Sequence, residues 1–224
     1  MEKVLQEMTK LKVSAFNSMA SEYDSWFEED RGKLIFAIEV QALQQVLSPL
    51  PKPWLEIGVG SGRFAQALGI ENGLDPSIEL LKIARNRGIN TFLGIGEKTP
   101  FESETFGTAL LIITLCFVDS SPKTLVEANR LLKNGGKLVS GLVLRESPWG
   151  EIYELKKEIG HHFYKHAAFY NYAEVEMLLT QAGFSIEKVI STLFQKPDKV
   201  EHIEPPQQGF SPGAGFTVIV AGKN

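Results

Sequence analysis

A single cysteine, Cys116, stands in 224 residues. It has no partner for an internal disulfide and cannot build a cysteine-rich zinc site, which favours a reducing compartment. Excess positive charge is missing too. The 23 Lys and Arg against 27 Asp and Glu leave a formal net charge of −4, and the basic residues are scattered. Nothing marks a footprint for nucleic acid or an anionic membrane, whereas a neutral or cationic small ligand fits. Long apolar runs are absent. The longest, "ALLIITLCFV" from Ala109 to Val118, is about half the length of a membrane-spanning helix. The N-terminal "MEKVLQEMTKLK" alternates charged with apolar residues, unlike a signal peptide. These absences, with no repeat or low-complexity tail, predict a soluble cytoplasmic protein without nucleic-acid or membrane partners, acting as a monomer or homodimer.

What is present reads as alternating strands and helices. Val4, Leu5, Met8, Leu11, Phe16 and Met19 recur at three- and four-residue steps and predict an interrupted helix from Val4 to Phe27. A second helix, Leu34 to Leu47, is stopped by the prolines of "SPLPKP". "WLEIG", "GLD", "INTFLG", "TALLIITL" and "KLVSGLVL" read as five strands. Between them lie the helical "RFAQAL", "IELLKIARNRG" capped by Ser77, and "SPKTLVEANRLLKNGG". Continuous apolar strands alternating with helices predict a parallel sheet covered on both faces. Two more helices, Pro148 to about Gly160 and Tyr172 to Ala182, and two strands, "GFSIEKVISTLF" and "GFTVIVAGK", complete the chain, with a Pro/Gly/Gln-rich loop between those strands.

"LEIGVGSGRF", Leu55 to Phe64, follows the first strand and opens a helix. Glycine supplies the positive φ of such a turn, and the helix N-terminus offers free N–H groups to an anionic or polar ligand. The spacing Gly58, Gly60, Gly62 is G-x-G-x-G, and Arg63 stands where the dinucleotide fingerprint has its third glycine. Asp75 ends the second strand, where an open α/β sheet places a carboxylate beside a ribose, accepting from both hydroxyls. An NAD-dependent oxidoreductase remains an alternative on these residues, as does a structural turn.

"LEIGVGSGRF", "GLDPSIELLKIAR", "GEKTPFESETF" and "EANRLLKNGGKLV" occur in this order. Together they resemble the class I S-adenosylmethionine-dependent methyltransferases, in particular the type 11 group that includes quinone C-methyltransferases, over about Trp54 to Val143. The resemblance implies S-adenosylmethionine as cofactor, S-adenosylhomocysteine as product and methyl transfer to a small-molecule acceptor by direct displacement; a non-catalytic protein binding either compound is a further alternative. It implies that Glu56, Gly58, Gly60 and Gly62 shape the methionine pocket and that Asp75 binds the ribose. Pro76 and Ile78 would then lie near the adenine and Gly96 and Glu97 at its rim, while Leu115 and Cys116 present backbone near the sulfonium and amino group. Two positions depart from the pattern: Ile95 and Gly107 stand where many relatives carry Asp.

The expected fold is α/β, a Rossmann-like seven-stranded, mostly parallel sheet with helices on both faces and an N-terminal helical lid. One methyltransferase domain spans 1–224, divided into a lid over 1–50, a cofactor core over 53–143 and acceptor-side helices with the final strand pair over 144–224. In "SEYDSWFEEDRGK", Tyr23, Trp26 and Phe27 either pack on the sheet edge or close over the cofactor, Tyr23 being the contact residue. Displacement chemistry needs alignment more than acid or base, so no catalytic residue is assigned. His162 and Tyr164 are candidates for taking a proton. His161, His162 and His166 lack the companions and the geometry of a metal site, and none is expected. Cys116 reads as a small core hydrophobe.

Overall fold

The computed structural model describes residues 13–224. Val4, Leu5, Met8 and Leu11 of the expected first helix lie outside them. A helical stretch over 13–18 leads into α1 (Ala20–Ser25), a 3-10 turn (Trp26–Glu28) and α2 (Asp30–Leu47). The core then alternates β1 (Trp54–Ile57), α3 (Arg63–Leu68), β2 (Asn72–Asp75), α4 (Ile78–Asn86), β3 (Asn90–Leu93), β4 (Phe106–Ile112), α5 (Ser121–Leu131) and β5 (Leu132–Leu142). After β5 come α6 (Pro148–Glu158), a 3-10 turn (Tyr164–His166), α7 (Tyr172–Gln181), β6 (Phe184–Thr192), β7 (Gln207–Gln208) and β8 (Phe216–Lys223).

The strands form one sheet in the order β3-β2-β1-β4-β5-β8-β6-β7. The first five are parallel, and β8 enters antiparallel between β5 and β6. The sheet has eight strands rather than the expected seven, because Gln207 and Gln208 in the long final loop pair with Ser191 and Ile190 at the β6 edge. No hydrophobic alternation announces a two-residue edge strand; its pairing is decided by where the loop runs. The helix expected to reach Gly135 and Gly136 stops at Leu131. Gly135, at φ 73°, sits instead in the early part of β5.

The apolar run at β4 is explained by burial from both sides. Leu110 and Ile112 join a core beneath α2, α3 and α4 with Ile38, Leu43, Phe64 and Leu81. Ala109 and Leu111 join a second core beneath α5 and α7 with Leu125, Leu131, Val175 and Leu179. Strand order reverses between β1 and β4, so the segments leaving their carboxyl ends diverge and open a crevice, the usual ligand position in such sheets. Gly107 lies at the opposite end. A Cβ there would sit 2.5 Å from the Pro51 carbonyl oxygen, so this backbone excludes the Asp of the family pattern.

Among the described residues no helix is long and apolar enough to cross a membrane.

Candidate functional site

The crevice deepens into a cavity of about 560 Å³, within the range of small-molecule sites. The turn after β1 forms its floor. Gly58, Gly60 and Gly62 have φ of 77°, 54° and 80°, values that side chains resist. The Gly58 and Val59 N–H groups donate to the Leu74 carbonyl at 2.7 and 3.0 Å, fastening the turn to β2. A Cβ on Gly58 would fall 2.3 Å from Thr114, and one on Gly62 3.0 Å from Ala84. These two glycines let the turn approach β4 and α4, while Gly60 faces the cavity beneath Tyr23.

Asp75 ends β2 against this turn. Its Oδ2 accepts from the Gly60 N–H at 2.9 Å and its Oδ1 from the Ser77 N–H at 2.8 Å. Burial raises its pKa to about 6, against the lowering effect of these two hydrogen bonds. Each oxygen keeps acceptor capacity toward the cavity. Ser77 caps α4, accepting from the Leu80 N–H at 3.2 Å.

The aromatic N-terminal segment divides its roles. Phe27 is buried in the core, whereas Tyr23 lines the cavity. Burial, followed by the Asp75 charge, raises the pKa of Tyr23 well above the ordinary phenol range. Phe16 stacks on Phe163 at 5.2 Å between centroids, and Tyr23 meets Phe163 edge-on at 5.9 Å, so the segment touches the opposite wall. Its latch is Arg63, the residue that breaks the dinucleotide fingerprint. Arg63 grips both carboxylate oxygens of Asp24 at 2.9 Å and also bonds Glu28, while Arg87 reaches Asp24 at 2.8 Å and the Ser61 carbonyl at 2.7 Å. Burial would raise the Asp24 pKa, but its bonds to Arg63 and Arg87 prevail and hold it well below the usual carboxylate range. Two cations converging on one acidic residue tie the segment to the glycine turn.

The end of β4 forms another wall. Ile113, a β-branched residue at φ 51°, is held there by its N–H bond to the Gly141 carbonyl at 2.8 Å. Backbone strain of this kind concentrates at functional sites. The Leu115 carbonyl accepts from Ser121 Oγ at 3.2 Å and that of Cys116 from the Ala168 N–H at 2.8 Å, so both expected backbone acceptors already have protein donors. Cys116 is half-buried on the cavity wall. Glu97 also lines it, yet its Oε1 accepts from the Asp119 and Ser120 N–H groups at 2.7 and 2.9 Å, holding the approach to α5.

Of the residues expected from sequence, Tyr23, Gly58, Gly60, Asp75, Pro76, Gly96, Glu97, Cys116, His162 and Tyr164 come together around this one cavity. Glu56, Gly62, Ile78 and Leu115 are not on its wall. Glu56 is buried behind the turn, where burial and the Asp75 charge raise its pKa well above the usual range. Gly62 supports packing, Ile78 is half exposed on α4, and Leu115 lies in the core.

Beyond Tyr23 the wall becomes aromatic. Tyr153 on α6 stacks on Tyr164 at 4.7 Å and on Phe169 at 6.0 Å. Burial raises the Tyr164 pKa to about 12, which keeps its proton in place at neutral pH. His162 is exposed, edge-on to Phe163. Glu39 of α2 lies on the same wall, 4% exposed, and burial raises its pKa to about 8. The latch and Glu39 escaped the sequence reading. Glu39 had a usable signal, being the one charge among Ile35, Ile38, Ala42 and Leu43 on the buried face of α2. Asp24 and Arg63, 39 positions apart, had none.

Comparison with known proteins agrees with this geometry. The family described as "Methyltransferase domain" matches residues 55–140. An uncharacterized protein of Mycobacterium tuberculosis is 42% identical over 209 residues, covering 93% of this chain and 73% of its own. Another, from Methanocaldococcus jannaschii, is 40% identical over 212 residues, covering 94% and 100%. A Thermotoga maritima crystal structure, described as a SAM-dependent methyltransferase and possible histamine N-methyltransferase, superposes with a TM-score of 0.88 at 39% identity, covering 95% of this chain and 100% of that one. The chain belongs to the class I S-adenosylmethionine-dependent methyltransferases, type 11. S-adenosylmethionine is its cofactor.

Proposed function

We propose that this methyltransferase acts on a small molecule held at the aromatic end of the cavity, with the cofactor at the glycine end. The observation that carries the reading is the joining of both ends in one cavity, with Asp75 at one and the Tyr153–Tyr164 stack at the other. The residues at the glycine end suit the cofactor: Gly60 leaves room that a side chain would fill, and Asp75 presents a carboxylate cradled by backbone N–H groups. When bound, the cofactor supplies an electrophilic methyl group on a sulfonium. Asp75 would hold the ribose hydroxyls, Pro76 and Gly96 would flank the adenine, and the turn at Gly58 and Gly60 would shelter the methionine portion. Tyr23, latched down through Asp24 and Arg63, would close over the turn and exclude water, aligning the reactants. In this assignment the described residues up to 50 form the lid, 53–143 the cofactor core and 144–224 the acceptor side.

Titration calorimetry with S-adenosylhomocysteine and with NADH tests the site. Binding of the first alone is expected, and preference for NADH would sink the reading.

A further inference from the structure

Glu39 is 4% exposed and lies on the cavity wall, yet among the described residues it has no hydrogen bond and no ion pair. Two other carboxylates on this wall are bonded: Asp75 to Gly60 and Ser77, Glu97 to Asp119 and Ser120. A buried carboxylate without a partner is costly, and the cost is relieved when a cation or a proton meets it. Its charge is among the causes that raise the pKa of Tyr153 and Tyr164, and also of Tyr23 over the glycine turn, so Glu39 lies within electrostatic reach of the rings on this wall.

We propose that Glu39 receives the ammonium group of the methyl acceptor, making the substrate of this site an amine. The inference rests on the methyl-transfer reading above and adds the chemical class of the acceptor. A carboxylate in an aromatic enclosure selects a cation twice over, by ion pairing and by the negative faces of the surrounding rings. An anionic acceptor finds no ion-pair partner in it. The protein's own nearby cation, Lys156, has its ammonium 5.2 Å from the Tyr153 centroid and 5.6 Å from that of Tyr164, and forms no ion pair with Glu39. His161 and His162, the other basic groups on this wall, likewise form none with it. Methylation requires the free amine, so an ammonium must first shed a proton, and Glu39 is placed to take it. The raised pKa of its carboxyl, about 8, brings that transfer near balance. The nitrogen lone pair then forms the N–C bond, the electrons of the breaking S–C bond stay on sulfur, and the proton lost by the methylated nitrogen leaves through the same carboxylate once it has been freed.

Calorimetry on protein saturated with S-adenosylhomocysteine, using phenethylamine, putrescine, 2-phenylethanol and 3-phenylpropionate, tests this directly. At least one amine is expected to bind, and neither the alcohol nor the carboxylate. Glu39→Gln should weaken the better amine at least tenfold and leave the S-adenosylhomocysteine affinity within twofold. Glu39→Asp, retaining the charge, should recover part of the loss, which a packing role would not. A labelled-methyl assay with the same compounds should place label on amines alone. Binding of the alcohol or the carboxylate as tightly as the better amine would overturn the proposal. So would binding of neither amine, or amine affinity indifferent to Glu39→Gln. Loss of S-adenosylhomocysteine affinity in Glu39→Gln would also overturn it, making Glu39 a cofactor residue. Failure of the wild-type protein to bind S-adenosylhomocysteine would strike the methyl-transfer reading itself, a result distinct from cofactor binding without amine binding.

Discussion

The two ends of the cavity are built on opposite principles. At the glycine end two carboxylates are held by the protein: Asp75 accepts two backbone N–H groups, and Asp24 is held by two arginines. At the aromatic end, rings line the wall and Glu39 has no partner among the described residues. A site whose polar groups are already oriented needs little rearrangement to receive its ligand, and this suits a cofactor common to a whole family. A site with an unpartnered carboxyl group in an apolar wall depends on its ligand to complete it, and that suits the acceptor side of the reaction. The latch at Arg63 belongs to the first kind.

The contrast breaks first at Asp75. Asp75→Ala should weaken S-adenosylhomocysteine by about 10- to 150-fold, the equivalent of about 1.5–3 kcal/mol for charge-assisted hydrogen bonds, as read by calorimetry. Affinity unchanged within twofold would remove the ribose role. A smaller effect is expected at the latch. Arg63→Met strips Asp24 of its two-pronged partner and should lower stability to urea by about 1–2 kcal/mol, with S-adenosylhomocysteine binding weakened several-fold. Stability loss without any change in binding would make the N-terminal segment packing rather than a lid.

The smallest effect sharpens the other end. The Glu39 carboxyl is raised from 4.5 to about 8 in the folded protein, so between those values the native state keeps a proton that the unfolded chain has released. Its contribution to stability is therefore full below about pH 4.5, declines as pH rises and levels off above about 8. Thermal melting between pH 6 and pH 9 should fall by a few degrees more in the wild type than in Glu39→Gln. Equal pH dependence in the two proteins would show that Glu39 is not buried as a neutral acid.

Local chemistry made much of this legible in advance. Ser77 is a helix cap by residue type, and the glycine turn with Asp75 at the next strand end is a spacing that suits a crevice at the sheet's carboxyl edge. What stayed hidden depended on distant partners. Arg63 looked like a defect in a glycine motif because Asp24 lies in another element. The bonds that the Leu115 and Cys116 carbonyls accept from Ser121 and Ala168 likewise join elements distant in the chain. Glu39 is a charge on the apolar face of α2, and the packing of that helix on the sheet buries it on the cavity wall.

The sequence by itself determined the alternation of strands and helices, the left-handed turn that glycine permits and the carboxylate beside it, because periodicity, φ preference and capping act within a few residues of chain. Only the tertiary structure decided the eighth strand, the latch over the turn and the lone carboxylate among the rings. Those depend on which groups meet across the fold and on how much water is left between them.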